Sequence, residues 1–203
     1  MTTPEFDKAV DNLKKVEKFV VTNIKSSKQK QEALLGILSL YSEALLLAPS
    51  STKTEFHGAF PGGLVEHALK VLKNMSLLNN SFETKLPIEE MVVTSLFHDL
   101  GKIGDGTNGY YLPKNSSWHA DRGIFYEVNP VLSSWKVSQL SLFLLQKGGV
   151  ILSKDEYAAI SSFDQGVRPA EMPSVGEPTL AVLLRQAVGM ACFQGRNKSK
   201  VTL

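Results

Sequence analysis

Apolar residues recur at steps of three and four along most of this chain, and that spacing constrains its fold more than any other feature. Phe6, Val10, Leu13, Val16, Val20 and Ile24 fall on one face of a helix. Residues 31–47 make a second, more apolar helix, closed by Pro49 and the Ser-Ser-Thr stretch after it. A third runs from about Gly63 to Leu78, with Leu64, Ala68, Val71, Leu72 and Met75 inward. Pro87 opens a fourth, with Glu89 and Glu90 in the first turn, where the helix dipole favours them. Helix is expected again at 136–147, at 154–163, where Ser153 and Glu156 have capping-box spacing, and at 179–194.

The interruptions are equally readable. Pro61-Gly62-Gly63 punctuates a loop over 50–62, and a Pro- and Gly-bearing loop occupies 166–178. Residues 101–134 are rich in Gly, Asn, Ser and aromatics, with extended pieces at Tyr110-Tyr111 and Ile124–Val128. The expected architecture is an all-α helical bundle with a small extended or hairpin insertion around 105–130. There is no internal repeat, and 203 residues suit one sizeable core. Residues 1–48 are expected to form a helical hairpin packed on that core, and 49–203 the main domain.

Composition narrows the function classes. Hydrophobic residues make up 43% and charged residues 21%, the balance of a globular protein and not of a disordered one. A net charge of +2 gives no overall pull toward nucleic acid or an acidic membrane. The longest apolar stretches, LLGILSLY and EALLLAP, fall short of a bilayer span, and MTTPEFDKAVDNLKK carries no apolar signal core. The expectation is a cytoplasmic protein without a membrane partner. Cys192 is the only cysteine, which rules out an intramolecular disulfide and sets aside a zinc site built of cysteines.

Chemistry concentrates at three residues. His67 lies in GGLVEHALKVL, and His98-Asp99 closes the apolar run MVVTSLFHDLGKIG. Imidazole nitrogen and carboxylate oxygen suit divalent transition metals. Adjacent residues can serve one ion only where the chain bends, and Gly101 and Gly104 supply that bend. A carboxylate and an imidazole among Val92, Val93, Leu96, Phe97 and Leu100 are costly unless paired or metal-bound. His67, His98 and Asp99 are therefore expected to converge on one point.

GGLVEHALKV followed by LFHDLGKIG resembles the HD-domain superfamily of metal-dependent phosphohydrolases, in particular its small bacteriophage and prophage members. TEFHGAFPGGLVEH, YEVNP, SLFLLQKGGV, LSKDEYAAI and LAVLLRQA are similar to further segments of that branch, so the likeness spans roughly 50–194. It implies an HD-like domain over 49–203 whose ion is held by His67, His98, Asp99 and one late Asp. It also implies a catalytic part for Asp99 and Lys102, a phosphate contact for Lys102 and a substrate contact or supporting role for His57. Phage origin would place the protein in the host cytoplasm.

The sequence departs from the pattern at three positions. The late Asp aligns with Val188, and two further histidines found in some branches align with Val137 and Phe163. Asp164, beside Phe163, is the first candidate to replace the missing carboxylate, ahead of Asp121 and Asp105. Two functions remain open. One is a phosphohydrolase relative with a partly lost site and weak or no activity, acting through binding of a nucleotide, a protein or a nucleic acid. The other is an active one-metal phosphohydrolase on a nucleotide or other phosphate ester. The cofactor is one divalent ion (Mn, Co, Ni, Fe or Zn) or none.

Overall fold

In the computed structural model of the chain, residues 2–164 and 176–196 are described. Helix α1 spans Thr3–Asn23 and α2 Lys28–Leu40, the latter capped by Ser27, whose hydroxyl accepts from the Lys30 amide. The single helix expected over 31–47 is two. The chain leaves the helical basin at Tyr41 (φ −106°, ψ 20°) and resumes as α3, Ser42–Leu47. Nothing in the spacing of apolar residues marks that break. The Tyr41 ring lies beside Gly106, so the loop after the His-Asp pair packs where the chain bends.

Helix α4, Gly63–Asn79, follows the 50–62 loop, and Gly62 at its start has φ 80°, a conformation open to glycine. Helix α5, Ile88–Phe97, is buried along most of its length and ends at His98; a 3₁₀ turn, Leu100–Ile103, follows. Strand β1, Tyr111–Pro113, and strand β2, Tyr126–Val128, pair antiparallel on either side of a short helix α6, Ser117–Ala120. This two-stranded ribbon is the insertion that the Gly- and aromatic-rich stretch predicts. Helices α7, Val137–Lys147, α8, Lys154–Ser162, and α9, Thr179–Gln194, complete an all-α bundle. Most of the loop expected at 166–178 lies outside the described residues.

Two apolar clusters hold the bundle. The larger joins Leu13, Val16, Val20 and Ile24 of α1 to Leu34 and Ile37 of α2, Leu64 and Leu72 of α4 and Val92, Val93 and Phe97 of α5. The smaller packs Val71 and Met75 of α4 against Leu180, Leu184, Ala187 and Ala191 of α9. Helix α4 serves both, one flank to each, which places His67 deep between them. A buried charge pair adds a fixed point: Lys30 of α2 reaches Glu156 of α8 at 2.7 Å, and Glu156 also accepts from the Ser153 amide. No described helix is long and apolar enough to cross a membrane.

Candidate metal centre

The His98-Asp99 corner is set by backbone geometry. His98 is still helical (φ −56°, ψ −39°), Asp99 is not (φ −97°, ψ 9°), and the 3₁₀ turn then runs to Gly104 at φ 104°. A side chain at Gly101 would collide with the Val137 carbonyl and the Leu140 side chain, so glycine here lets α7 close on the corner. Ser141 of α7 fastens the contact. Its hydroxyl accepts from the Gly101 amide at 2.8 Å and lies 2.6 Å from the His98 carbonyl oxygen, to which it donates.

This corner meets His67 of α4. The ligand atoms of His67, His98 and Asp99 all lie within 4.8 Å of one another, as the spacing in the sequence predicts. Asp99 Oδ2 is 3.6 Å from Nε2 of His67 and 3.6 Å from Nε2 of His98, too long for hydrogen bonds. The three residues are 3%, 0% and 3% exposed, respectively. Both ring nitrogens of His67 and Nε2 of His98 are buried without a hydrogen-bond partner. Buried polar atoms are nearly always paired, so unpaired lone pairs around one carboxylate oxygen fit a cation better than a packed core. The other His98 nitrogen, Nδ1, sits 2.9 Å from the Ser95 carbonyl; protonated there, it leaves Nε2 free as a donor to an ion.

The charges are arranged to match. Burial lowers the pKa of both His67 and His98, keeping the imidazoles neutral and able to ligate. Burial works against the Asp99 charge, but the Lys102 ammonium holds its carboxyl well below the usual range. Lys102 Nζ is 2.6 Å from Asp99 Oδ2 and 3.4 Å from the Ser50 hydroxyl. An ammonium thus occupies one side of the carboxylate that an ion would share.

His57, from the 50–62 loop, also belongs to this neighbourhood. Its ring centroid is 4.5 Å from that of His67, and burial pushes its pKa down to about 4. On its far side, Nε2 is 3.6 Å from Cys192 Sγ on α9. The lone cysteine, set aside on sequence grounds because it has no second thiol beside it, stands in a group with two histidines. His57, His67 and Cys192 have ligand atoms within 4.8 Å of one another. No local motif marks Cys192; only the packing of α9 on α4 brings it in. Tyr110 and Tyr111 are a second omission. Burial raises both phenols; the Asp164 and then the Asp99 charge raise Tyr110 further, and the Asp99 charge raises Tyr111.

The carboxylates offered as substitutes do not join the trio. Asp164 Oδ2 accepts from the Ser138 amide at 2.9 Å, in the first turn of α7, where a carboxylate suits the helix dipole. Its other oxygen is buried and unpartnered, but no grouping with the trio's ligand atoms forms. Asp105 is taken up by the Thr107 and Asn108 amides, and Asp121 is exposed. Of the three apolar residues aligned with absent ligands, Phe163 meets the site directly, its ring edge-on to His98 at 4.8 Å. Val188 packs in the α4–α9 cluster, and Val137 opens α7.

A surface depression lined by Glu5, Lys8, Asn12, Phe60 and Glu66 lies between α1 and the 50–62 loop and does not include the trio. Comparison with protein families, with curated proteins and with solved structures finds no match to this chain.

Proposed function

We propose that this chain binds one divalent metal ion at His67, His98 and Asp99 and, beside it, a nucleotide or other phosphate ester, with hydrolysis weak or absent. In this reading it is a relative of the HD-domain phosphohydrolases with a reduced site. The observation that carries it is the pair of unpartnered imidazole nitrogens, Nε2 of His67 and Nε2 of His98, each 3.6 Å from the same buried carboxylate oxygen. When bound, the ion supplies a Lewis acid able to polarise a phosphoryl oxygen. His98 is held to its role by the Ser95 carbonyl. Asp99 supplies the negative charge. Lys102, whose ammonium pairs with Asp99, would have to swing away to share that carboxylate with a cation and could then meet a phosphate oxygen as a point charge.

Two features favour binding over turnover. Phe163 gives His98 an apolar neighbour where a further ligand would enlarge the site. The trio is almost without solvent exposure, which restricts the approach of an ester's phosphorus and of water to a bound ion. The test is metal content of protein purified without chelator, followed by nucleotide binding and a hydrolysis screen with manganese, cobalt and nickel. The proposal expects one ion per chain at this trio, lost in Asp99→Ala, and binding without appreciable turnover. Enzymatic hydrolysis of a nucleotide that Asp99→Ala abolishes would make the protein an active phosphohydrolase. Absence of any metal affinity would remove the proposal altogether.

A further inference from the structure

We propose that Cys192 and His57 are themselves metal ligands, forming with His67 a thiolate-containing centre that takes a thiophilic ion such as zinc or cobalt(II) in preference to magnesium or manganese. The inference rests on the reading that His67 ligates a metal, and it adds the donors that no motif in the sequence marks.

The geometry carries it. A tetrahedral ion with nitrogen ligands at about 2.0–2.1 Å and sulfur at about 2.3 Å separates neighbouring nitrogen and sulfur donors by roughly 3.5 Å. Cys192 Sγ and His57 Nε2 are 3.6 Å apart. A thiol–imidazole hydrogen bond would account for that pair alone, but not for His67. His67 is 3% exposed, stacks near His57 and has no partner for either nitrogen, although one nitrogen of a neutral imidazole carries a proton that needs an acceptor. An ion and a second acceptor nearby, one on each nitrogen, would resolve both deficits.

The scaffold holds these donors firmly. Asn74, two turns beyond His67 on α4, donates to the Ala187 carbonyl and the Gln194 side chain, which clamps the end of α9 bearing Cys192 onto the face bearing His67. Gly195 closes α9, and a Cβ there would come within 2.7 Å of the His57 Cβ, so the missing side chain is what lets the His57 loop reach the thiol. Softness of the donors then sets the selectivity. Thiolate and imidazole select zinc-like ions, whereas magnesium and manganese favour carboxylate and water. Binding forms a metal–sulfur bond and releases the Cys192 proton to solvent, with no change of oxidation state.

Cys192 is the only cysteine, so any thiolate signal from the full chain reports on this residue alone. Chelator-treated protein titrated with cobalt(II) is expected to develop visible d–d bands together with a near-ultraviolet sulfur-to-cobalt charge-transfer band. Zinc should displace both. In Cys192→Ser the charge-transfer band should vanish and cobalt affinity fall by about tenfold or more. Should that variant fail to fold, the wild-type chain gives the second measurement: zinc, but not magnesium, should slow alkylation of the Cys192 thiol. Cobalt bound with visible bands but no charge-transfer band, and alkylation indifferent to zinc, would overturn this centre and leave the ion at His98 and Asp99. A folded protein that binds no cobalt would overturn both.

Discussion

Lys102 would set how tightly the proposed site holds a cation. Its ammonium at 2.6 Å from Asp99 Oδ2 compensates the buried carboxylate and would have to leave for an ion to bind. Lys102→Met is therefore expected to raise metal affinity by roughly tenfold, a change of about 1.4 kcal/mol, and to weaken binding of a phosphate ester. Isothermal titration with zinc and with a nucleotide would measure both. The histidines govern acid sensitivity. His57, with a pKa near 4 against 6.5 unperturbed, and His67 and His98, shifted in the same direction, all take up protons more readily when unfolded. Stability from these groups is complete above the unfolded value and drains away as the pH falls through the interval down to the folded values. Asp99, also depressed, adds a loss of the same sign below the usual carboxylate range. Urea midpoints should accordingly drop between about pH 7.5 and pH 5, more steeply than in His67→Asn. A flat profile would mean that the imidazoles are not buried neutral.

At the scale of the elements, local signals and distant contacts part company. The ends of α5 and α8 are legible because proline, capping residues and glycine act within a turn of where they stand. The pairing of His98 with Asp99 at a bend is legible for the same reason. The break at Tyr41 is not, since the apolar spacing runs through it and the bend is fixed by packing against the loop at Gly106. Cys192 and His57 lie 135 residues apart and meet only through the docking of α9 on α4. The sequence points Asp164 toward the His-Asp site because it adjoins Phe163, yet the Ser138 amide in the first turn of α7 gives its carboxylate a nearer partner. The junction of α7 with the metal corner gives a prediction at this scale. Ser141→Ala leaves the buried Gly101 amide without an acceptor and should cost about 1–3 kcal/mol in chemical denaturation. It should also weaken metal binding, because the same hydroxyl anchors His98.

For the whole molecule, α1 and α2 share one apolar cluster with α4 and α5. Deleting residues 1–48 would strip that cluster of Leu13, Val16, Val20, Leu34 and Ile37, and the remainder is expected to lose cooperative thermal unfolding and to bind a hydrophobic dye. The Lys30–Glu156 pair makes the same dependence testable by one substitution. Lys30→Met leaves the fully buried Glu156 carboxylate without its charge partner and should destabilise the fold by about 3–5 kcal/mol, read as a lowered Tm. Helix α5 is fastened at both ends. Near its start, Glu89 accepts hydrogen bonds from the Lys25 and Ser26 amides and the Ser26 hydroxyl, in the turn between α1 and α2. At its finish stands His98. Ten residues of helix make a strut of about 15 Å, too short and too well packed to bend. A displacement of the Ser26 turn would therefore travel along the strut as an axial shift and change the spacing at the His98-Asp99 corner.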